Sequence, residues 1–259
     1  MGFFRRIMRA VLVCAVLSAA LAGAAAWAGL TADQADALQA KAGSGDKAAL
    51  ETLMTEARQG DPYAQFDLGG LYAIGLGVPQ DDGQAAQWFR KAAEQGVARA
   101  QFNLGLRNFN GQGVPQDYGQ AAQWFRKAAE QGVASAQAIL GQLYHNGQGV
   151  PQDDGQAAQW SRKAAEQGNA AAQNNLGALY ADGQGVAQNN IVAYALYNLA
   201  AAQESASGDH TASENRASLA NRMSKRAIEA GQALTRKMNA PGQLLKALDD
   251  YMAPSRPAR

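Results

Sequence analysis

The chain has 259 residues, a formal charge of +1, 17% charged and 7% aromatic residues, and a single cysteine. Ala, Gly, Gln and Leu dominate, and β-branched residues are scarce outside the first sixteen positions and the loop valines, a composition that favours close-packed helices over sheet. The balanced charge leaves no clustered basic face for nucleic acid, and Cys14 stands in a leader, which excludes disulfide, zinc-thiolate and cysteine-nucleophile chemistry from the remainder.

Residues 1–28 carry Arg5, Arg6 and Arg9, then the apolar run 11–21, then small residues in which Ala26 and Ala28 satisfy an A-x-A cleavage pattern. The expectation is a signal peptide cut between Ala28 and Gly29, giving an exported chain, periplasmic or secreted, with no stable membrane span. The mature chain then has 20 basic and 22 acidic side chains, a net charge of −2. The alternative is an uncleaved anchor, because residues 10–28 approach the roughly 20 needed to cross a bilayer.

Residues 29–60 read as N-terminal capping helices. Thr31 with acids in the first turn starts a short helix to about Ala42, and residues 43–46 break it. The spacing of Leu50, Leu53, Met54 and Ala57 predicts an amphipathic helix over 47–59, part of a degenerate half repeat.

From residue 61 to 204 the chain repeats. The letters GQAAQWFRKAAEQGVA at 83–98 return unchanged at 119–134 and with two differences, Ser161 and Asn169, at 155–170. Trp88, Trp124 and Trp160 are thirty-six residues apart. A fixed period of this size means stacked units, none of which buries its apolar face alone. In the first unit Asp61-Pro62 is an N-cap followed by proline, and Ala64, Leu68, Leu71 and Tyr72 share a helix face. Gly69, Gly105, Gly141 and Gly177 fall at one register inside that helix. A mid-helix glycine costs about 1 kcal/mol against alanine, so the register implies a close neighbour that leaves no room for a Cβ. The G-x-G-V-P loops supply left-handed glycines and an extended valine rather than a phosphate cradle. Asp81 with Gln84, and their copies, form a capping-box pattern before the second helix. There Ala85, Trp88, Phe89, Ala92 and Ala93 are expected as the buried stripe, with Arg90 and Lys91 on a solvated face.

The letters Leu68-Gly69-x-x-Tyr72 with Ala85-x-x-x-Phe89 resemble the tetratricopeptide pattern. The period, the G-x-G-V-P-Q-D loop and the segment from Trp88 to Gly96 resemble the SEL-one-like repeat family more closely. That resemblance implies an all-α fold, a right-handed α-solenoid of antiparallel helix pairs, used mainly as an adaptor surface for other proteins. The chain departs from the pattern at Asn108, which replaces a tyrosine beside Phe109, and at Ser161, which replaces a phenylalanine and leaves a gap or a shifted neighbour. Leu196-Tyr197 replaces Trp-Phe in the fourth unit. Residues 205–209 read as a polar loop and 211–222, 224–238 and 244–251 as C-terminal capping helices within 205–253. A disordered tail is expected over 254–259.

The resemblance also implies a concave wall lined by the first helix of each pair. Its exposed positions carry over to Tyr63, Phe66, Arg99, Phe102, Phe109, Gln142, His145 and Asn174, the candidate partner-binding residues. Aromatics and arginine suit an interface hot spot; the competing reading packs two or more of these rings into neighbouring repeats. No nucleophile or metal motif is present, His145 and His210 are the sole histidines, and the pairs Asp81-Asp82 and Asp153-Asp154 read as helix caps, so neither an enzyme nor a cofactor or metal is expected. The partner is expected to be a protein, with a cell-wall glycan or peptidoglycan stacked on the same aromatic wall as the alternative. Specificity is expected where the copies differ: Arg99, Phe102, Phe109, Gln142, His145 and Ser161.

Overall fold

The computed structural model describes residues 29–204, 210–240 and 242–253. The expected leader with Cys14, the polar loop at 205–209, Pro241 and the tail at 254–259 lie outside them. Thirteen helices and no strands occur among the described residues. The chain divides into two compact units, the first ending at Gln80 and the second beginning at Asp81.

The first unit holds α1 (Ala32–Gly43), α2 (Lys47–Gln59) and α3 (Pro62–Ile74). Each start is fixed locally. Thr31 and Gln34 exchange the reciprocal bonds of a capping box, Asp46 accepts from the N–H groups of Ala48 and Ala49, and Asp61 accepts from that of Ala64 at 2.7 Å, each satisfying donors the helix leaves orphaned. Leu53, Ala57, Leu68 and Leu71 are buried between these helices.

The second unit is an α-solenoid of antiparallel helix pairs. It contains α4 (Asp82–Glu94), α5 (Ala98–Asn110), α6 (Tyr118–Glu130), α7 (Ala134–Asn146), α8 (Asp154–Glu166), α9 (Ala170–Asp182) and α10 (Asn190–Glu204). Then come α11 (Thr211–Ala220), α12 (Lys225–Met238) and α13 (Leu244–Met252). Asp81, Asp117 and Asp153 each accept the N–H of the glutamine three residues on at 2.9 Å. The bond from the Gln120 N–H holds the Asp117 carboxyl below the usual carboxylate range.

The glycine register has the steric cause expected of it, and the neighbour is chiefly a side chain. A Cβ on Gly105 would lie 2.7 Å from the Phe125 ring, and one on Gly177 2.8 Å from the Tyr197 ring. The loops use their second glycine in the same way: Gly113, at φ +71°, would place a Cβ 2.0 Å from the carbonyl oxygen of Asp82 on the preceding repeat.

Glutamines tie the repeats together. Buried Gln101, Gln137 and Gln173 donate to the carbonyls of Ala93, Ala129 and Ala165 at the end of the helix before, at 3.1, 2.9 and 3.3 Å. Gln131, Gln167 and Gln203 then donate to the side-chain oxygens of those same three glutamines, at 2.8, 2.8 and 3.2 Å. This ladder satisfies helix-end carbonyls that would otherwise be orphaned in a buried place.

The tryptophans differ from expectation. Phe89, Phe125 and the stripe alanines are buried, but Trp88, Trp124 and Trp160 are half-buried. The ammonium groups of Lys91, Lys127 and Lys163 sit 4.0, 4.1 and 4.2 Å from the indole centroids. At spacing i, i+3 the lysine reaches back over the ring, so the indole keeps an outward face covered by a cation rather than by a helix. In the fourth repeat α11 and α12 cover this face, and Leu196 and Tyr197 there are buried. Burial pushes the Tyr197 hydroxyl up to about 12. The last helix, α13, returns to α8 through an Arg162–Asp249 ion pair and the Leu245 N–H on Glu166 at 2.6 Å.

Candidate functional site

The candidate wall residues fall in both units. In the first, Tyr63 stands exposed at the start of α3, whereas Phe66 is buried and is withdrawn from any solvent-facing wall. In the second, Arg99 is exposed on the first turn of α5. Phe102 and Phe109 are half-buried and engaged by their own repeat. The ring centroid of Phe102 lies 5.9 Å from that of Phe125, and Phe109 meets Phe125 at 6.5 Å and Tyr118 edge-on at 5.1 Å. Such tilted and edge-on pairs stabilise a cluster beyond the area they bury. These two rings pack within their own repeat, which is neither a free wall nor the packing into a neighbouring repeat given as the competing reading.

One repeat later the same positions hold different chemistry. Thirty-six residues on from Phe102, Phe109, Tyr118 and Phe125 stand Ala138, His145, Asp154 and Ser161. Where the two aromatic rings met, the Nδ1 of His145 now lies 2.7 Å from the Asp154 carboxylate. Asp153 is the cap of α8. Contrary to the capping role expected from sequence, Asp154 fixes a histidine, and Asp82 likewise pairs with Arg107 of α5. Where the Phe125 ring lay on Gly105, buried Ser161 leaves a pocket of about 130 Å³ between α7, α8 and α9. Gly141, Gln142, His145, Ser161, Asn175 and Leu179 are among its lining residues.

A second cavity, of about 420 Å³, adjoins it along the first helices. Gln142 and Asn175 line both; Asn174, Gln203 and Glu204 line the larger one, which ends at the start of α11. Asn174 accepts from Asn215 of α11 at 3.0 Å, and the Glu204 carboxylate accepts from Ser213 N–H at 3.1 Å and its hydroxyl at 2.6 Å. The structure thus brings together Gln142, His145 and Asn174 of the candidates, together with Ser161. It adds Asn175 and Asn146, which sequence reading did not single out, and Asp154, which it read as part of a helix cap. Comparing copies position by position finds Asn175, where the preceding copy has Ile139, and Asp154, where it has Tyr118; Asn146 matches Asn110 and gives no such signal.

A small pocket with an apolar base and a polar rim, beside a wall of side-chain amides, offers paired donors and acceptors, which suits a polypeptide backbone. Ser161 makes no hydrogen bond to His145, so the histidine and aspartate are not joined to a nucleophile in this geometry. Among the described residues no group of three or more His, Cys, Asp or Glu side chains could hold a metal ion, and no helix is long and apolar enough to cross a membrane.

Helix pairs of constant length, joined by left-handed glycine loops and a shared glutamine ladder, define a helical-repeat solenoid. The chain belongs to the Sel1 repeat family: the Sel1 repeat matches residues 62–97, 98–133, 134–169 and 170–205, more than half of its length. Among solved structures it is similar to a Sel1 repeat protein from Oxalobacter formigenes, with 32% identity over 86% of this chain and 99% of that one and a TM-score of 0.66. It is also similar to c5321 of uropathogenic Escherichia coli, described as a protective antigen with an SLR fold. That match has 33% identity, covers 88% of this chain and has a TM-score of 0.62; the chain spans about half, 54%, of the E. coli protein. No match is found among curated proteins. Sel1 repeat proteins are typically protein-interaction adaptors.

Proposed function

We propose that this chain is an exported, non-catalytic adaptor that grips an extended segment of a partner protein along the first-helix face of its third and fourth repeats. The observation that carries this reading is the continuous surface formed by the two adjoining cavities, with Gln142 and Asn175 common to both. Side-chain amides there can pair with peptide N–H and C=O groups together. The leader motif supports export, and so does the similarity to a protein described as a protective antigen.

The test is capture of partners from envelope extract with the mature chain, comparing Gln142→Arg and Asn175→Arg with the opposite-helix control Lys91→Ala. Loss of one partner in the two arginine variants and its retention in the control is the expected result. Retention in all three overturns the choice of face. The glycan alternative loses its aromatic platform to the packing of Phe102 and Phe109; retention on purified peptidoglycan with no protein captured would restore it. Mass spectrometry of the exported chain should find a mature start at Gly29, whereas a chain retaining residues 1–28 is anchored.

A further inference from the structure

In three repeats of the second unit the same arrangement recurs: a glycine in the first helix and a residue of the second helix lying on it. In repeat two that residue is Phe125 on Gly105, and in repeat four it is Tyr197 on Gly177. The glycine is the seat and the six-membered ring its occupant, since a Cβ would come within 2.7 and 2.8 Å of the respective rings. Repeat three keeps the seat, Gly141, but supplies no ring, because Ser161 stands at the ring position.

The second-helix backbone draws in on Gly141, with the Ala157 carbonyl oxygen 3.1 Å from a Cβ placed there against 3.4 Å for Ala193 at Gly177, but the surrounding side chains leave the gap unfilled. Ala138 replaces Phe102, His145 replaces Phe109, and Asn175 replaces Ile139, so each wall that could have filled the space is smaller or polar. His145 is held to the side by Asp154. The result is a pocket of about 130 Å³, comparable with the roughly 150 Å³ cavity known to accept benzene in an engineered core. Its base is apolar, with Ala157, Ala178 and Leu179, and polar groups from Gln142, Asn146 and Asn175 lie around it.

We propose that this pocket receives an aromatic side chain of the partner, which restores in trans the ring that repeats two and four provide from their own chain. The proposal rests on the reading of the first-helix face as the partner surface and names the residue class that anchors there. An apolar seat ringed by amides suits a ring whose flanking backbone hydrogen-bonds to Gln142 and Asn175. A filled, desolvated pocket of this kind is where interface hot spots concentrate.

The probe is p-cresol, the isolated side chain of tyrosine, titrated into the mature protein and followed by NMR. The expected result is saturable binding with a dissociation constant on the order of a millimolar or below. Nuclear Overhauser contacts from the cresol ring to the methyl groups of Ala157 and Ala178 should accompany it. Ser161→Phe, and Ser161→Leu as a second filling variant, are expected to abolish the contacts. Absence of saturable binding to the wild-type chain, contacts only to other methyl groups, or undiminished binding in a folded filling variant overturns the proposal. The two readings fail separately. If p-cresol does not bind while Gln142→Arg still releases the captured partner, the ring site falls and the adaptor face stands. If p-cresol binds at Ala157 and Ala178 while Gln142→Arg keeps the partner, the ring site stands and the proposed face falls.

Discussion

Repeats two and three have helices of the same length and near-identical second helices, yet the positions where their helices face each other hold opposite chemistry. Repeat two closes its interior with Phe102, Phe109, Tyr118 and Phe125; repeat three answers with Ala138, His145, Asp154 and Ser161. The difference teaches that backbone period and interior filling are separable in this array. Capping aspartates, loop glycines and the glutamine ladder specify the backbone of a repeat, so one repeat can give up its interior rings without altering helix length or register.

The sharpest way to break that contrast is to give repeat two the chemistry of repeat three. Phe125 is fully buried, so Phe125→Ser should lower stability by at least the roughly 3–5 kcal/mol typical of deleting a buried phenylalanine side chain, read from the urea unfolding midpoint. The converse change, Ser161→Phe, should raise stability by about 1.5–3 kcal/mol as the added ring leaves water, read from the same midpoint. A fall in stability would show that the pocket cannot admit a ring. Next comes the seat: Gly105→Ala should cost about 1–3 kcal/mol through overpacking against Phe125. Gly141→Ala should cost a similar amount in the same assay, since behind the Ser161 hydroxyl at 2.8 Å, which can turn away, stand the Ala157 carbonyl oxygen at 3.1 Å and the Ser161 nitrogen at 3.3 Å, which cannot.

Repeat four supplies a pH-dependent control at the same register. Burial raises Tyr197 to about 12 from an ordinary 10.0, so the folded chain favours the neutral phenol. Its contribution to stability is intact below about pH 10 and is lost as pH rises towards 12. Ultraviolet titration should find a tyrosine ionising at about pH 12, and Tyr197→Phe should remove that step. The smallest effect is expected at the polar pair. His145→Ala breaks a partly exposed contact and should cost under about 1 kcal/mol, less than Phe109→Ala, which opens the aromatic cluster.

Much of the fold is legible in sequence because its determinants are local. Thr31, Asp46, Asp61 and Asp81 announce helix starts within three residues of themselves, and the helix begins at each of them. The glycine register is legible too, since four glycines at one position ask for a neighbour. The tryptophans are not legible in this way: indole burial depends on which helix arrives opposite, and here a lysine three residues on takes that place. The candidate site is half-visible. Ser161 reads as a gap, and the contrast between copies points to Gln142 and His145. Convergence of Asp154, Asn175 and Asn146 on that gap depends on how three helices from two repeats pack, which no single helix pattern contains.

The glutamine ladder has a consequence for how such a chain changes length. Each rung runs from a glutamine to its partner thirty residues earlier in the same copy, and that partner donates in turn to a helix-end carbonyl of the copy before. Removing or adding a block of thirty-six residues joins equivalent rungs and leaves every helix-end carbonyl with a donor. A deletion of any other size within the array strands a buried carbonyl at the junction, at the expense of about 1–3 kcal/mol. Growth and loss by whole copies is therefore the length change that the hydrogen bonding tolerates, and the near-identical second helices provide the matching stretches at which such exchanges can occur.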